Sequence, residues 1–219
     1  MGQWLSQHGI STVGPRLAGH GTSWEDLDTT TWQDWEREAE QGLDDVASRT
    51  RDVIVVGLSM GGAMATHLAV KHAGRLRGVV AINPLIHRPE LVGAPLIRLF
   101  TRTVKGVGND VKKPGQDEIV YDRIGVRSAN QLGKLLRTAD RELPSLRLPL
   151  LVFSSTEDHT VKPINSKRVY ERAGSAQKEL VPLRNSYHVA TLDYDADTIC
   201  GRVVEFAHSV AGAPSAGPA

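Results

Sequence analysis

Short apolar runs alternate along this chain with longer stretches of helical periodicity. Five runs read as strands: Ile10–Val13, Val53–Val56, Gly78–Ile82, Leu148–Ser154 and Lys178–Val181. Val53-Ile-Val-Val56 is β-branched and lacks apolar–polar alternation, the mark of a buried parallel strand. Between the first two runs, Trp32, Trp35, Ala39, Leu43 and Val46 recur at helical spacing, with Thr30 or Thr31 placed to cap the helix. The two tryptophans read as core anchors. Gly62–Lys71 reads as a helix of small residues. Another helix is expected from about Pro163 to Arg172, with the proline in its first turn. A last helix should follow Asp195, a candidate N-cap, and run to about His208. Strands alternating with helices predict an α/β fold, a mostly parallel sheet with helices on both faces.

The rhythm breaks between Asn83 and Leu146. This stretch is too long for a simple crossover. It reads as helices, including Leu96–Val104 and Asn130–Leu136, with Gly106, Gly108, Pro114 and Gly115 as punctuation. Its place between the third and fourth strands predicts a small helical cap over residues 84–146. The core would then comprise residues 1–83 and 147–210. Residues 211–219 form a small-residue tail expected to be disordered.

Composition narrows the function classes. The 219 residues carry a net charge of +1, with both signs interspersed, so neither nucleic acid nor an anionic membrane is an expected partner. Cys200 is the only cysteine, which rules out an intrachain disulfide and suits a reducing, cytoplasmic compartment. No apolar run approaches the ~20 residues of a membrane span, so stable membrane insertion is not expected. The first nine residues lack the basic and apolar regions of a secretory signal.

The chemistry concentrates at Gly57-Leu58-Ser59-Met60-Gly61. A serine between a strand and a helix, flanked by glycines, sits on a strained turn that pushes its hydroxyl out of the sheet's carboxyl edge. The alternative is a tight turn whose serine merely caps the helix. A serine hydroxyl needs a base within hydrogen-bond reach, and that base needs a group to hold its tautomer. In chain order after Ser59, Glu157 or Asp158 lies in the loop leaving Leu148–Ser154, and His188 lies in the loop after the last strand. All three positions fall at carboxyl ends of strands, where active groups of open α/β sheets collect. The backbone N–H of Met60 is the nameable oxyanion donor. His67, His72 and His208 lie on helices, and nothing recruits them. Asp193 and Asp195 lack a third oxygen donor for a metal and read as helix caps. Neither metal nor cofactor is expected.

At these residues the chain resembles the bacterial carboxylesterases and monoacylglycerol lipases of the α/β-hydrolase fold. The resemblance rests on Pro15-Arg-Leu-Ala-Gly-His-Gly-Thr22, Gly57-Leu-Ser-Met-Gly-Gly62, Thr156-Glu-Asp-His-Thr-Val-Lys-Pro163 and Asn185-Ser-Tyr-His-Val-Ala-Thr-Leu-Asp193. It implies hydrolysis of a small-molecule ester through an acyl-enzyme, with Ser59 attacking, His188 shuttling the proton and Asp158, not Glu157, holding His188. It implies a helical cap over an apolar acyl pocket, bordered by Gly19, His20 and Gly21, with His20 as a structural loop residue. Short- to medium-chain esters or monoacylglycerols are the implied substrates. An acyl-thioesterase with the same triad is an alternative. So is a catalytically impaired binding protein, because one family feature is missing. Members begin with further strands, one of which ends in His-Gly and an aromatic residue and supplies a second oxyanion N–H. Loss of one such donor typically costs ~10²–10³ in turnover. Residues 1–9 resemble the helix after that loop, so Met1 is read as an internal methionine and the chain as N-terminally truncated. The absent strand would lie between Ile10–Val13 and Val53–Val56. Its loss predicts either unpaired backbone groups or direct pairing of those two segments.

Overall fold

The computed structural model describes residues 1–89, 101–106 and 108–212. In chain order they form helices α1 (Gly2–Gln7), α2 (Trp24–Thr29) and α3 (Trp32–Ala47), strand β1 (Ile54–Leu58), helix α4 (Met60–Lys71) and strands β2 (Gly78–Ile82), β3 (Thr103–Lys105) and β4 (Arg123–Gly125). Helix α5 (Val126–Glu142), strand β5 (Leu150–Ser155), helix α6 (Ile164–Arg172), strand β6 (Lys178–Leu183) and helix α7 (Ala196–Val210) complete them.

β1, β2, β5 and β6 pair in parallel in that order. The register sets Leu58, Ile82, Phe153 and Val181 side by side, so the strands reach their carboxyl ends along one edge. Successive side chains in a strand point to opposite faces. Val79, Leu150 and Val152 accordingly join a core with residues of α3, α4, α5 and α6, including Trp35, Leu68, Leu135 and Val169. Val80, Leu151 and Phe153 join a second core on the other face with Leu5 of α1 and Ile199 and Val203 of α7. Helices thus cover both faces, as an α/β fold requires.

Local chemistry explains the element boundaries. Thr31 caps α3 in a reciprocal box: its hydroxyl accepts from the Asp34 N–H, and the Asp34 carboxylate accepts from the Thr31 N–H at 2.8 Å. Trp35 is buried and donates its indole N–H to Thr30 Oγ1 at 2.8 Å. Small residues let α4 lie close to its neighbours: a Cβ on Gly62 would stand 2.8 Å from the Pro84 Cβ. Pro163 precedes α6, in keeping with its suitability at a helix start.

Several expectations are corrected. Ile10–Val13 is not a strand. A strand needs a ladder partner about 4.8 Å away, and a cavity of about 580 Å³, walled by Ile10, Val13, Ile54, Val56 and Leu58, lies between this segment and β1. The two segments do not pair directly. Among the described residues β1 therefore ends the sheet, and it is half-buried except at Gly57, not fully buried like β2. The expected helix at Leu96–Val104 falls partly on residues 96–100, outside the described residues. At its other end Thr103–Lys105 is a strand, paired antiparallel with β4. The helix expected at Asn130–Leu136 is longer, and its buried Leu135, Leu136 and Ala139 join the same core as α4. Residues 213–219 of the expected tail also lie outside the described residues.

Candidate active site

Ser59 stands between β1 and α4 with φ 56° and ψ −121°. That backbone conformation is costly for any residue with a Cβ and is held here by the surroundings. The Ser59 N–H donates to the Ile82 carbonyl at 3.0 Å, and its carbonyl accepts from Gly62 and Leu85 at 2.9 and 3.0 Å. Gly57 makes the turn possible: a Cβ there would lie 2.0 Å from the Gly61 carbonyl oxygen. Ser59 makes no side-chain cap to α4, so its hydroxyl is not spent on the helix. Met60 is the first residue of α4. Its N–H is among the amides that a helix start leaves without an intrahelical acceptor.

Asp158 and His188 meet across two loops. Asp158 Oδ2 lies 2.8 Å from His188 Nδ1, and their side chains are only 1% and 6% exposed. Asp158 Oδ1 accepts from the Thr160 and Val161 N–H groups at 2.9 and 2.6 Å, which fixes the carboxylate in the turn. With Nδ1–H donating to Asp158, the His188 Nε2 carries the lone pair. Glu157 points elsewhere, to Lys112 Nζ at 3.0 Å. Asn83 links His188 to the serine turn. It follows Ile82, the acceptor of the Ser59 N–H, and its Nδ2 donates to the His188 carbonyl at 2.7 Å. Among the described residues no hydrogen bond joins Ser59 Oγ to His188 Nε2. Such bonds often tighten only when substrate is bound.

The Gly19–Gly21 turn makes contacts of its own. Gly19 and Gly21 adopt φ 75° and 72°, the left-handed region that suits glycine. His20 turns its ring edge-on to Trp35 at 5.6 Å and bonds the Ala18 carbonyl. Burial lowers its pKa. The Gly19 carbonyl accepts from the Tyr121 hydroxyl at 2.8 Å, which ties this turn to the segment before β4. No hydrogen bond connects Gly19, His20 or Gly21 to Ser59 or His188 among the described residues. The cavity beside β1 touches Gly57, Leu58 and Gly61 below the serine turn and Thr191 beyond His188, but Ser59 and His188 are not on its wall.

Three residues of the site were not read as such from the sequence. Asn83 is buried with φ 42° and, besides holding His188, accepts from the Ser155 N–H at 2.7 Å. Asp110 is buried against the loops that carry Asp158 and His188. Asp193, expected as a helix cap, instead accepts from the backbone N–H groups of Lys112, Lys113, Tyr187 and Tyr194. Asp195 does occupy the N-cap of α7, but its carboxylate accepts from the Asn185 N–H and not from the helix. Asn83 alone offered a faint signal, a polar residue directly after a buried strand.

Known proteins resemble this chain over most of its length. The family described as serine aminopeptidase, S33, matches residues 1–195. A thermostable monoacylglycerol lipase from a Bacillus species is 38% identical over 205 residues, covering 93% of this chain and 82% of the relative. The carboxylesterase of Bacillus subtilis is 23% identical, covering 94% of this chain and 84% of its own. Among solved structures, one from work on two metagenome-derived lipolytic enzymes, LipS and LipT, superposes with a TM-score of 0.90 at 32% identity, covering 95% of this chain and 86% of that one. The strained serine turn, the buried acid–histidine pair and these likenesses together make the chain a member of the α/β-hydrolase family that contains the carboxylesterases and monoacylglycerol lipases.

Proposed function

We propose that this carboxylic ester hydrolase works through Ser59, His188 and Asp158. Ser59 Oγ attacks the ester carbonyl while His188 Nε2 takes its proton. The tetrahedral oxyanion forms against the Met60 N–H. His188 then returns the proton to the departing alcohol, leaving an acyl group on Ser59. Water, deprotonated by the same imidazole, releases the acid and restores the serine. Asp158 holds Nδ1–H and stabilises the imidazolium in both halves of the cycle.

The observation that carries this reading is the buried Asp158–His188 bond beside a serine in positive-φ geometry. The Bacillus relatives, named as a monoacylglycerol lipase and a carboxylesterase, support monoacylglycerols or other carboxylic esters as substrates; short- to medium-chain esters are our reading from the resemblance. The loop before β4 shelters the histidine, since the Asp110 carbonyl accepts from the Val189 N–H at 3.1 Å. We assign the role of cap to the part of residues 84–146 that precedes α5, since α5 itself joins the core, that of a pocket border to Gly19–Gly21, and the cytoplasm as location, the last on the strength of the lone buried Cys200. No helix among the described residues is long and apolar enough to cross a membrane.

The test is p-nitrophenyl butyrate hydrolysis and fluorophosphonate labelling, on the chain and on Ser59→Ala. Turnover and a covalent adduct that both vanish in the variant are expected. Equal rates in the two proteins would reject Ser59 as the nucleophile.

A further inference from the structure

We infer that Asp110 is a positioning residue that clamps the acid and the base of the triad from outside their own loops. The inference rests on the roles given above to Ser59, Asp158 and His188. Asp158 and His188 sit on separate loops after β5 and β6. Their ring–carboxylate bond is only as well aimed as the relative position of those loops. Asp110 comes from a third element, the connection between β3 and β4, and touches both.

Its contacts are specific. Asp110 Oδ2 accepts from the backbone N–H of His159, the residue after Asp158, at 3.0 Å. The same oxygen accepts from the backbone N–H of His188 at 3.4 Å and from the Thr160 hydroxyl at 3.3 Å. Oδ1 lies 2.8 Å from His159 Nδ1. The main chain of Asp110 adds a fifth tie, accepting from the Val189 N–H. One side chain, 9% exposed, thus grips the acid's neighbour and the base itself. Burial pushes the Asp110 carboxyl up, but the bonds from the His159 ring and backbone outweigh it and hold the group below its ordinary value. An ionised carboxylate can accept from several donors at once, and hydrogen bonds to a charged acceptor are the stronger kind. Asparagine has one acceptor oxygen of similar placement and presents an N–H₂ where the other stood. It would keep the volume but set a donor against a donor.

Misplacement of a reacting group by about 1 Å costs on the order of 10²-fold in rate. The deciding measurements are kcat, KM and urea midpoint on the full chain for wild type, Asp110→Asn, Asp158→Asn and the double variant, with sites counted by fluorophosphonate titration. For Asp110→Asn a fall in kcat of roughly 10- to 100-fold at unchanged KM is expected. In the Asp158→Asn background, where the pair is already broken, the same change should cost under about threefold, since residues acting as a unit are non-additive. Wild-type kcat in folded Asp110→Asn, or an equal loss in both backgrounds, overturns the inference and leaves the triad standing. Wild-type kcat in Asp158→Asn removes the triad assignment and this inference with it. If Asp110→Asn does not fold, Asp110→Glu carries the test. Turnover per titrated site should fall with KM and midpoint held, and an unchanged turnover per site overturns the clamp.

Discussion

Replacing Asn83 with alanine should damage both the fold and the chemistry, by an amount the structure lets us work out. The Asn83 amide donates to Ser155 Oγ at 2.9 Å and to the His188 carbonyl at 2.7 Å, and its oxygen accepts from the Ser155 N–H at 2.7 Å. Ser155 and His188 are both buried, at 0% and 4% exposure. Ser155 Oγ keeps a bond to the Tyr187 carbonyl at 2.8 Å, so it is not orphaned. Two groups are: the Ser155 N–H and the His188 C=O. A buried polar group left unpaired costs about 1–3 kcal/mol, so the two together cost about 2–6 kcal/mol. Alanine also loses asparagine's tolerance of the left-handed φ of 42° found at this position, adding about 1 kcal/mol. Urea unfolding should show a lower midpoint at unchanged slope. Turnover per active site should fall too, because the freed carbonyl belongs to His188. A loss below about 1 kcal/mol with wild-type kcat would refute this accounting, since it lies under the cost of even one orphaned group.

The two motif glycines should behave differently. Gly57→Ala, whose Cβ would lie 2.0 Å from the Gly61 oxygen, is expected to lose activity and stability together, whereas Gly61→Ala, with nothing within 4 Å, should keep its melting temperature; equal melting temperatures for both variants would contradict the elbow geometry. Asp158→Asn should lower kcat by roughly 10⁴ with the fold intact, as loss of the orienting carboxylate does in other triads, and stopped esterase assays alongside circular dichroism check it. His67 gives a pH dependence. Burial lowers its pKa, but the Glu142 and Glu36 carboxylates at 2.7 and 3.0 Å outweigh that and raise it above 6.5. Its stabilising contribution is therefore complete below pH 6.5 and is lost as pH rises through the folded-state value. Urea midpoints of wild type should fall more steeply than those of His67→Gln between about pH 6 and about pH 9, and parallel slopes would count against the ion-paired histidine.

What could be read from the residues was local or periodic. The runs at Val53 and Gly78, the capped helix at Trp32 and the glycine-flanked serine each carry their signal within a dozen positions. The serine turn and the Asp158–His188 pair were legible because strand ends on one edge bring distant loops together whatever the sequence between them. Asn83 and Asp110 were not, because their partners lie 49 to 105 residues away and an asparagine or aspartate in a connecting segment looks like any turn residue. Ile10–Val13 has the composition of a strand, but a strand exists only when another chain segment lies alongside, and pattern alone does not supply one. The three-residue strands β3 and β4 are too short to show a period at all.

The open flank of β1 divides that strand by residue parity. The Val53 carbonyl accepts from the Arg77 N–H and the Ser59 N–H donates to Ile82, so odd-numbered backbone groups turn toward β2. Alternation then points the amides of Ile54, Val56 and Leu58 into the cavity. In deuterated solvent those three should exchange ahead of Val55 and Gly57, a comb-like record of one-sided tethering. The serine turn hangs from a strand at the sheet's edge, so its lifetime in one shape is governed by how often that strand peels from a single neighbour.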